Sequence, residues 1–206
     1  GLKLPRGFCA TIFADTLRGA RQLTVAPNGD VIVASTGNRG QGAGVFVLRD
    51  ADNDGVAEVR EQFASGASSH VALFDGNLYA EAIPPGGGRG RAGGPPAAPT
   101  SIVRYAYKAG DLAASGGPDT IVTKLPRLPG HSTRNFAIAN DGSMYVNIGS
   151  ATNSCQDPDR KPNVPGVDPC KELDTRAGIW KFDARKKNQE PTASNHFAKG
   201  IRNAVG

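Results

Sequence analysis

A three-residue turn between two short apolar runs occurs three times in this chain, and this repeat constrains the fold more than any other feature. The turns are Asn-Gly-Asp at 28–30, Asp-Gly-Asn at 75–77 and Asp-Gly-Ser at 141–143. Because Asn-Gly and Asp-Gly favour the positive φ angles of tight hairpins, each unit predicts two adjacent antiparallel strands. Recurrence of one unit along the chain indicates an architecture assembled from similar parts.

The spacing of these units matches the blade of a β-propeller, which is a small sheet of four antiparallel strands. Val33 and Ala80 stand at equivalent positions 47 residues apart, and a blade takes roughly 40–50 residues. The next interval, from Ala80 to Val146, is 66 residues and exceeds the first by 19. A Pro-, Gly- and Arg-rich stretch at about 82–99 accounts for the excess. We predict a surface insertion there, with a basic RNA-binding segment as the alternative.

Further runs in which apolar and polar residues alternate supply outer strands for each unit. These runs lie at 44–49 and 56–63, at 101–107 and 120–125, and at 178–183. The chain also has 27 Gly and 15 Pro in 206 residues and no long apolar window. This composition predicts an all-β fold without a transmembrane segment. We predict about three four-stranded blades of a six-bladed β-propeller, forming one partial domain over 1–206.

A closed ring of this type needs more blades than the chain supplies. Propellers contain about 4–8 blades, so we expect a second chain or a further C-terminal half to complete the ring.

The charge pattern indicates an ordinary basic surface. The formal charge is +5, Lys and Arg are mixed with Asp and Glu, and only 6% of the residues are aromatic. A nucleic-acid-binding face would combine clustered basic residues with exposed aromatic ones, so we expect no nucleic-acid partner.

Cys155 and Cys170 bracket a loop that is rich in Pro and Asp and poor in apolar residues. Such a loop has little hydrophobic contact to hold it, so we predict a disulfide between them, with two unrelated thiols as the alternative. Cys9 is then left over, and we expect it to be buried as a small hydrophobic residue. The three cysteines lack the spacing of a haem-attachment or paired zinc motif.

Polar side chains stand just ahead of a short apolar run at four places in the chain. Arg21 belongs to the first, His70 to the second, His131 to the third, and Arg202 with Asn203 to the fourth. In a fold that stacks its units radially, the starts of equivalent strands meet around one axis. We therefore expect these side chains to lie together in a funnel.

His131 is the best single candidate for catalysis, because a neutral imidazole at the mouth of such a funnel can accept a hydroxyl proton. The alternative is a loop histidine that bonds only to backbone. Arg21 and Arg202 carry guanidinium groups that match carboxylates, which favours a flat anionic cofactor as the ligand. Asn203 and His70 complete the set of cofactor-binding candidates. Their alternative roles are to stabilise the loops between blades and, for His70, to serve as a hydrogen-bonded turn residue.

An acidic turn at 50–55 has the residue spacing of a calcium-binding loop. Asp50, Asp52 and Asp54 alternate with other residues, Gly55 permits a sharp turn, and two glutamates follow at 58 and 61. Carboxylates arranged in this way converge on a cation. No helices are predicted on either side, so the turn is a candidate for a weak structural Ca²⁺ site rather than an EF-hand. An acidic hairpin turn without metal is the alternative.

Several motifs resemble those of the soluble PQQ-dependent glucose and sorbosone dehydrogenases, which are six-bladed β-propellers. They are Leu-Pro-Arg-Gly-Phe at 4–8, Ile-Phe-Ala at 12–14, Gly-His-Ser-Thr-Arg at 130–134, Asp-Gly at 141–142, Tyr-Val-Asn-Ile-Gly at 145–149 and Gly-Ile-Arg-Asn at 200–203. The acidic turn at 50–55 is similar to one in the sorbosone dehydrogenase-like branch. The resemblance extends over the whole chain, which would form the N-terminal half of such a protein.

The resemblance implies a PQQ-dependent oxidoreductase that oxidises a hydroxyl of a sugar or polyol. His131 would be the base that takes the hydroxyl proton, while hydride passes from the carbinol carbon to the C5 carbonyl of PQQ. Arg202 and Asn203 would contact the quinone, Ca²⁺ would polarise it, and a cytochrome or quinone would act as the external electron acceptor. One departure concerns Ser150, because the glucose dehydrogenase branch has a carboxylate at this position that orients the histidine.

The resemblance also implies a periplasmic or secreted protein, in agreement with the predicted disulfide. Two alternatives to a dehydrogenase remain. One is a non-catalytic extracellular propeller that acts as a binding or scaffold protein, since this fold hosts many functions. The other is a metal-dependent lactonase, which would need carboxylates and Asn around one ion where this chain has Arg and His.

Overall fold

The described residues of the computed structural model, 2–37, 42–84, 97–127 and 130–205, form three four-stranded antiparallel sheets. The all-β prediction and the predicted number of blades are therefore confirmed. Each sheet consists of four strands that are consecutive in the chain, and we name the sheets blade 1, blade 2 and blade 3 in chain order.

The strands have the following bounds. Blade 1 contains β1 (Ala20–Val25), β2 (Val31–Ser35), β3 (Gly44–Arg49) and β4 (Val59–Ser65). Blade 2 contains β5 (Val71–Phe74), β6 (Asn77–Ala82), β7 (Ala97–Ala106) and β8 (Asp119–Arg127). Blade 3 contains β9 (Phe136–Ile138), β10 (Ser143–Ile148), β11 (Gly178–Asp183) and β12 (His196–Lys199). Two short 3₁₀ helices, Lys171–Asp174 and Ala193–Asn195, lie on either side of β11.

The predicted hairpin turns join the first two strands of every blade. Gly29, Gly76 and Gly142 have φ angles of 90°, 69° and 89°, which a residue with a side chain adopts only at a cost. In the first turn, Asp30 is buried and accepts two hydrogen bonds from the guanidinium of Arg49, at 2.7 and 2.8 Å. The Arg49 guanidinium lowers the pKa of the Asp30 carboxyl, so this turn is held by an ion pair over a wide pH range.

The first strands of the three blades stand next to one another. β1 contacts β5, and β5 contacts β9, whereas the fourth strand of each blade lies at the far edge of its sheet. The blades are thus arranged side by side with their first strands innermost. This order places the residues that precede β1, β5 and β9 at one end of a common centre.

Two apolar clusters lie between the blades and hold them together. Val47 of blade 1 and Leu78 of blade 2 belong to the first cluster. Ile121 of blade 2 and Trp180 of blade 3 belong to the second. All four are buried almost completely, and burial of one large apolar side chain stabilises a fold by roughly 1.5–3 kcal/mol. Packing between sheets therefore fixes the relative placement of the strand starts.

Some boundaries differ from the predictions. β7 begins at Ala97, so residues 97–99 belong to a strand rather than to the insertion predicted at 82–99. Most of that insertion falls on 85–96, outside the described residues. β4 begins at Val59 instead of residue 56, because the acidic turn at 50–55 continues further before the chain pairs with β3.

The prediction that Cys9 is buried is wrong. Cys9 is exposed and lies before β1, in a segment that forms no strand at residues 2–19. Apolar side chains in this segment are exposed as well, including those of Leu2, Phe8 and Ile12. A side chain is buried only where a second layer packs against it, and hydrophobic character alone does not provide one.

No helix in the described part of the chain has the length and apolar character that a membrane span requires.

Candidate active site

A cavity of about 400 Å³ lies where the first strands of the blades begin. It brings together Arg21 of β1, His131 of the segment before β9, and Asn203 of the segment after β12. Its described lining residues are Arg21, Gln22, Ser69, Gly130, His131, Ser132, Thr133, Asn135, Arg160, Asn203 and Val205. Residues far apart in the chain thus meet at one place because equivalent strands start side by side.

His131 is held by the turn that follows β10, which we call the 149–152 turn. The main-chain N–H of His131 donates to the carbonyl oxygen of Ser150 at 2.9 Å. The imidazole Nδ1 lies 3.1 Å from the same oxygen and 3.0 Å from Ser150 Oγ. A Cβ atom at Gly149 would lie 2.6 Å from the Cβ of His131, so only glycine permits this close approach.

These contacts fix the tautomer of the imidazole. The carbonyl oxygen of Ser150 only accepts hydrogen bonds. Ser150 Oγ donates its own hydrogen to the carbonyl oxygen of Thr152 at 2.5 Å, so it too acts as an acceptor towards His131. Nδ1 must therefore carry the proton, which leaves the lone pair on Nε2. His131 lines the cavity, and an imidazole with one unprotonated nitrogen is the kind of group that proton abstraction needs.

Asn203 is fixed next to His131 by a pair of amide contacts with β10. Asn147 Nδ2 donates to Asn203 Oδ1 at 2.9 Å, and the main-chain N–H of Ala204 donates to Asn147 Oδ1 at 3.1 Å. Asn147 itself is almost completely buried. The segment after β12 therefore lies across the start of blade 3 with its amide side chain in a defined orientation.

Arg202, predicted as a cofactor contact, points elsewhere in this structure. Its main-chain carbonyl accepts the N–H of Ser150 at 2.8 Å, but its side chain is exposed and Nε donates to Asn153 Oδ1 at 2.8 Å. Arg202 is not among the described residues that line the cavity. Its backbone contributes to the site, while its guanidinium holds the loop after the 149–152 turn.

Blade 1 contributes two neighbouring side chains to the cavity. Arg21 is exposed at its rim, and Gln22 beside it is half-buried. Gln22 Oε1 accepts the main-chain N–H of Val71 at 3.2 Å and so connects the first strands of blades 1 and 2. Its amide group is positioned by the backbone of the neighbouring blade.

His70, also predicted as a cofactor contact, is buried in the wall behind the cavity. Only 5% of it is exposed, and its ring packs on Phe136 with the centroids 4.5 Å apart. Burial lowers the pKa of His70 to about 4, so the imidazole is neutral at physiological pH. The neighbouring Ser69 lines the cavity in its place.

A buried pair of opposite charges lies behind Ser69. Ser69 Oγ donates to the carboxylate of Glu81, which is 2% exposed. Arg134 is buried completely, and its charge acts on Glu81. Burial raises the pKa of Glu81 and lowers that of Arg134 to about 10. Attraction between the two groups opposes both of these pKa shifts.

The cavity wall carries two guanidinium groups, one of which, Arg160, is paired with the neighbouring Asp159 at 3.4 Å. Arg21 and Arg160 lie in its wall, and none of its described lining residues is Asp or Glu. Guanidinium groups bind carboxylates and phosphates through paired N–H donors. The cavity is therefore suited to an anionic ligand, with the amides of Gln22 and Asn203 available for neutral polar atoms.

The predicted disulfide is confirmed, because Cys155 and Cys170 are joined with their Cα atoms 5.8 Å apart. It closes a loop that carries Arg160 into the cavity wall. Glu172 lies close to both sulfur atoms. A disulfide lacks the thiolate that binds metal, so these three residues do not form a metal site.

The acidic turn at 50–55 brings together the carboxylates named from the sequence. Oxygen atoms of Asp50, Asp52, Asp54 and Glu58 lie within 4.8 Å of one another. Asp50 accepts the main-chain N–H groups of Asn53, at 2.6 Å, and of the next two residues. The turn is remote in the fold from the cavity, between β3 and β4.

Sequence reasoning missed several cavity residues. Ser69, Thr133 and Asn135 are neighbours of the two predicted histidines, and this adjacency was the available signal. Arg160 gave no signal, since it is an ordinary basic residue in an irregular loop. Its place depends on the disulfide and on how the loop folds back towards blade 3.

Three solved structures share the fold of this chain at low sequence identity. The first is the holo form of the PQQ domain of pyranose dehydrogenase from Coprinopsis cinerea, with a TM-score of 0.66 and 17% identity over 94% of this chain and 42% of that one. The second is a calcium structure of a carbohydrate-active enzyme of family AA12 from Trichoderma reesei, with a TM-score of 0.64 and 16% identity over 94% and 44%.

The third is an oxidoreductase (glucose dehydrogenase) from Thermus thermophilus, with a TM-score of 0.51 and 14% identity over 84% of this chain and 45% of that one. No protein-family model matches the sequence, and neither does any curated protein. The likenesses establish the β-propeller fold. The chain spans less than half the length of each of these solved chains.

Proposed function

We propose that this chain belongs to a PQQ-dependent oxidoreductase that oxidises a hydroxyl group of a sugar or polyol. The observation that carries the proposal is the orientation of His131, whose Nδ1–H is held by Ser150 so that Nε2 is left as a base at a cavity lined by two arginines. The structural likeness to the PQQ domain of pyranose dehydrogenase supports the same activity. The more specific assignment to a sorbosone dehydrogenase-like branch rests on the sequence motifs.

The lining of the cavity fits PQQ, a flat quinone that carries several carboxylates. Arg21 and Arg160 supply cationic groups for those carboxylates, and no described lining residue repels them. Asn203 and Gln22 supply amide donors for carbonyl oxygens. Arg202 and His70 would join this set only if side chains at the cavity rearranged, because neither lines the cavity in this structure.

The residues of this chain would act as follows. Nε2 of His131 accepts the proton of the substrate hydroxyl, and the imidazolium that forms is stabilised by the hydrogen bonds from Nδ1–H to the oxygens of Ser150. Asn203, fixed by Asn147, holds a polar group of the ligand beside the base. PQQ, when bound, supplies the acceptor for the hydride that leaves the carbinol carbon.

The remaining lining of the site would come from further blades. Each of the solved structures is more than twice as long as the part this chain matches. We propose that a second chain or a continuation of this one completes the ring. An external cytochrome or quinone would then take the electrons. The disulfide supports a periplasmic or secreted location, since such bonds persist in oxidising compartments.

Titration of the full-length native protein with PQQ in the presence of Ca²⁺ tests the proposal. We expect a saturable quinone absorbance that bleaches on addition of an aldose or polyol and returns with an electron-accepting dye. Arg21→Ala should weaken PQQ binding about tenfold, by loss of one charge-assisted contact. Arg6→Ala, an exposed arginine outside the cavity, is the matched control. Absence of saturable binding would favour the scaffold alternative.

A structural Ca²⁺ at the acidic turn stays a separate proposal. It is supported by four carboxylates whose oxygens converge within 4.8 Å. Calorimetric titration with Ca²⁺ should show one site that Asp52→Asn weakens, whereas Asp75→Asn at another hairpin turn should not change it. No heat of binding at millimolar Ca²⁺ would contradict this site.

A further inference from the structure

The segment that follows the disulfide holds the 149–152 turn from two sides. Glu172 accepts the main-chain N–H groups of Ala151, at 2.5 Å, and Thr152, at 3.4 Å, and the hydroxyl of Thr152 at 2.5 Å. Four residues later, Arg176 donates from Nε to the carbonyl oxygen of Gly149 at 3.0 Å and from Nη2 to that of Ser150 at 3.1 Å. A carboxylate thus holds the N–H groups of the turn, and a guanidinium holds its carbonyl oxygens.

These contacts are connected to His131, the proposed base, through Ser150. The hydroxyl of Ser150 donates to the carbonyl oxygen of Thr152, and this contact makes it an acceptor for Nδ1–H of His131. The position of Thr152 is in turn set by its two contacts with Glu172. Displacing Thr152 would free the hydroxyl of Ser150 to rotate and to donate to Nδ1. The opposite tautomer, with the lone pair on Nδ1, would then become available.

The disulfide fixes Glu172 relative to the same turn. Cys170 immediately precedes the 3₁₀ helix Lys171–Asp174 that contains Glu172. At the other end of the loop, the main-chain N–H of Cys155 donates to Oγ1 of Thr152 at 2.8 Å. The sulfur of Cys155 also lies 3.5 Å from Glu172 Oε1. The bridge therefore links the residue that precedes the Glu172 helix to a residue that contacts both Glu172 and Thr152.

The chemistry of Ser150 explains why such support is needed. A carboxylate beside Nδ1 would orient an imidazole by its charge, whereas the neutral hydroxyl of Ser150 can donate or accept, so that without further support only the main-chain carbonyl of Ser150 selects the tautomer. Hydrogen bonds to a charged group are stronger than those between neutral groups. The Glu172 carboxylate can therefore hold the main chain of Thr152 firmly, and the carbonyl oxygen of Thr152 in turn orients the hydroxyl of Ser150. The Glu172 carboxylate thus lies three contacts away from the histidine, with Thr152 and Ser150 between them.

We propose that Glu172 is a positioning residue for His131, acting through the 149–152 turn, with the Cys155–Cys170 disulfide holding it in place. The inference rests on the proposed role of His131 as the base. Glu172 is not among the described residues that line the cavity, so its effect is carried by the tautomer and orientation of the imidazole. Reduction of the disulfide should shift the tautomer of His131 in the same direction as loss of the Glu172 charge.

The test compares Glu172→Gln with Glu190→Gln in the full-length protein. Glutamine keeps the size of Glu172 but removes its charge and replaces one of its two acceptor oxygens by an NH₂ group, so at least one of the present contacts with Ala151 or Thr152 is lost or reversed. Glu190 is an exposed glutamate paired with Lys124 at 2.8 Å, outside the cavity lining. Nitrogen-15 NMR of the histidine side chains in protein without PQQ reports the tautomer of His131. Dye reduction by PQQ-loaded protein reports kcat and KM.

We expect Glu172→Gln to raise the share of the Nε2–H tautomer and to lower kcat about tenfold, the lower end of the effect seen when a hydrogen-bond partner that orients a metal-binding histidine is removed. KM for the sugar should change less than about twofold, because Glu172 lies outside the cavity lining, and Glu190→Gln should change nothing. An unchanged tautomer together with unchanged kcat would overturn the proposal. So would a loss that appears only in KM.

Two further measurements apply if Glu172→Gln fails to fold. Thr152→Val removes one hydroxyl and should shift the tautomer in the same direction by a smaller amount. Reduction of the disulfide in the wild-type protein should do the same, and an unchanged tautomer in both would overturn the proposal. Because the NMR readout needs no turnover, a tautomer shift in a protein without dehydrogenase activity would refute the proposed function while supporting the positioning role.

Discussion

His70 and His131 stand at comparable places, just ahead of the first strands of blades 2 and 3, yet their surroundings differ completely. His70 directly precedes β5 and is buried on Phe136, with no hydrogen-bond partner for Nδ1 among the described residues. His131 lies five residues before β9, reaches the cavity, and has Nδ1 held by Ser150. The comparison shows that position in a repeat does not assign a role. The length of chain between the histidine and its strand, and the partner of Nδ1, decide it.

The largest expected effect comes from removing the imidazole that reaches the cavity. His131→Ala should lower the rate of dye reduction by PQQ-loaded, full-length protein about 10²–10⁴-fold, the contribution of a general base. Its free energy of unfolding should fall by only about 1 kcal/mol, for loss of the hydrogen bond between Nδ1 and Ser150. Lys186→Ala, on an exposed lysine, serves as the control. Turnover at the wild-type rate would show that His131 is not the general base.

The buried histidine should instead show itself in the pH dependence of stability. Below pH 6.5 the unfolded chain binds a proton at His70, whereas the folded chain does so only near pH 4. The protein should therefore lose about 3 kcal/mol of stability from this residue as the pH falls from 6.5 to 4, with no loss at neutral pH.

His70→Leu tests that slope because it removes the titrating group and keeps an apolar side chain against Phe136. The free energy of unfolding, measured by denaturant titration from about pH 7 to about pH 4, should fall less steeply in the variant than in the wild type. Comparing two proteins that differ at one site cancels the contributions of Asp30 and Glu81, whose own pKa values are shifted. Identical slopes would contradict the neutral, buried state of His70.

The smallest expected effect comes from Ser150, which provides the hydrogen-bond partner for Nδ1 of His131 that His70 lacks. Ser150→Ala removes Oγ but leaves the main-chain carbonyl, which also lies 3.1 Å from Nδ1. We expect kcat to fall only about fivefold, the equivalent of one hydrogen bond of about 1 kcal/mol. A loss as large as that of His131→Ala would mean that the hydroxyl, not the carbonyl, is the essential partner.

The fold followed from the sequence because its signals are local. An Asn-Gly or Asp-Gly turn between apolar runs determines a hairpin within about ten residues, and three such turns were sufficient to predict three sheets. The burial of Cys9 was predicted wrongly because burial depends on a second layer, which the local pattern does not contain. The residues at 85–96 that make up most of the predicted insertion lie outside the described part of the chain.

The site was predicted only in part, because its geometry depends on contacts between distant residues. His131, Asn203 and Arg21 were named because each stands at a strand start or in a familiar motif, and the cavity brings them together. The contact between Glu172 and Thr152 spans 20 residues of irregular chain and leaves no periodic trace in the sequence. The direction of the Arg202 side chain likewise depends on Asn153, at a separation of 49 residues.

Each sheet consists of four strands that follow one another in the chain, and this order affects how the protein can fold during synthesis. A nascent chain can complete one sheet while the next is still inside the ribosome, because no strand waits for a distant partner. The cavity, in contrast, needs Arg21, His131 and Asn203, which are 110 and 72 residues apart in the chain. These three side chains can therefore meet only after residue 203 has been synthesised, when the strands of all three sheets are already present.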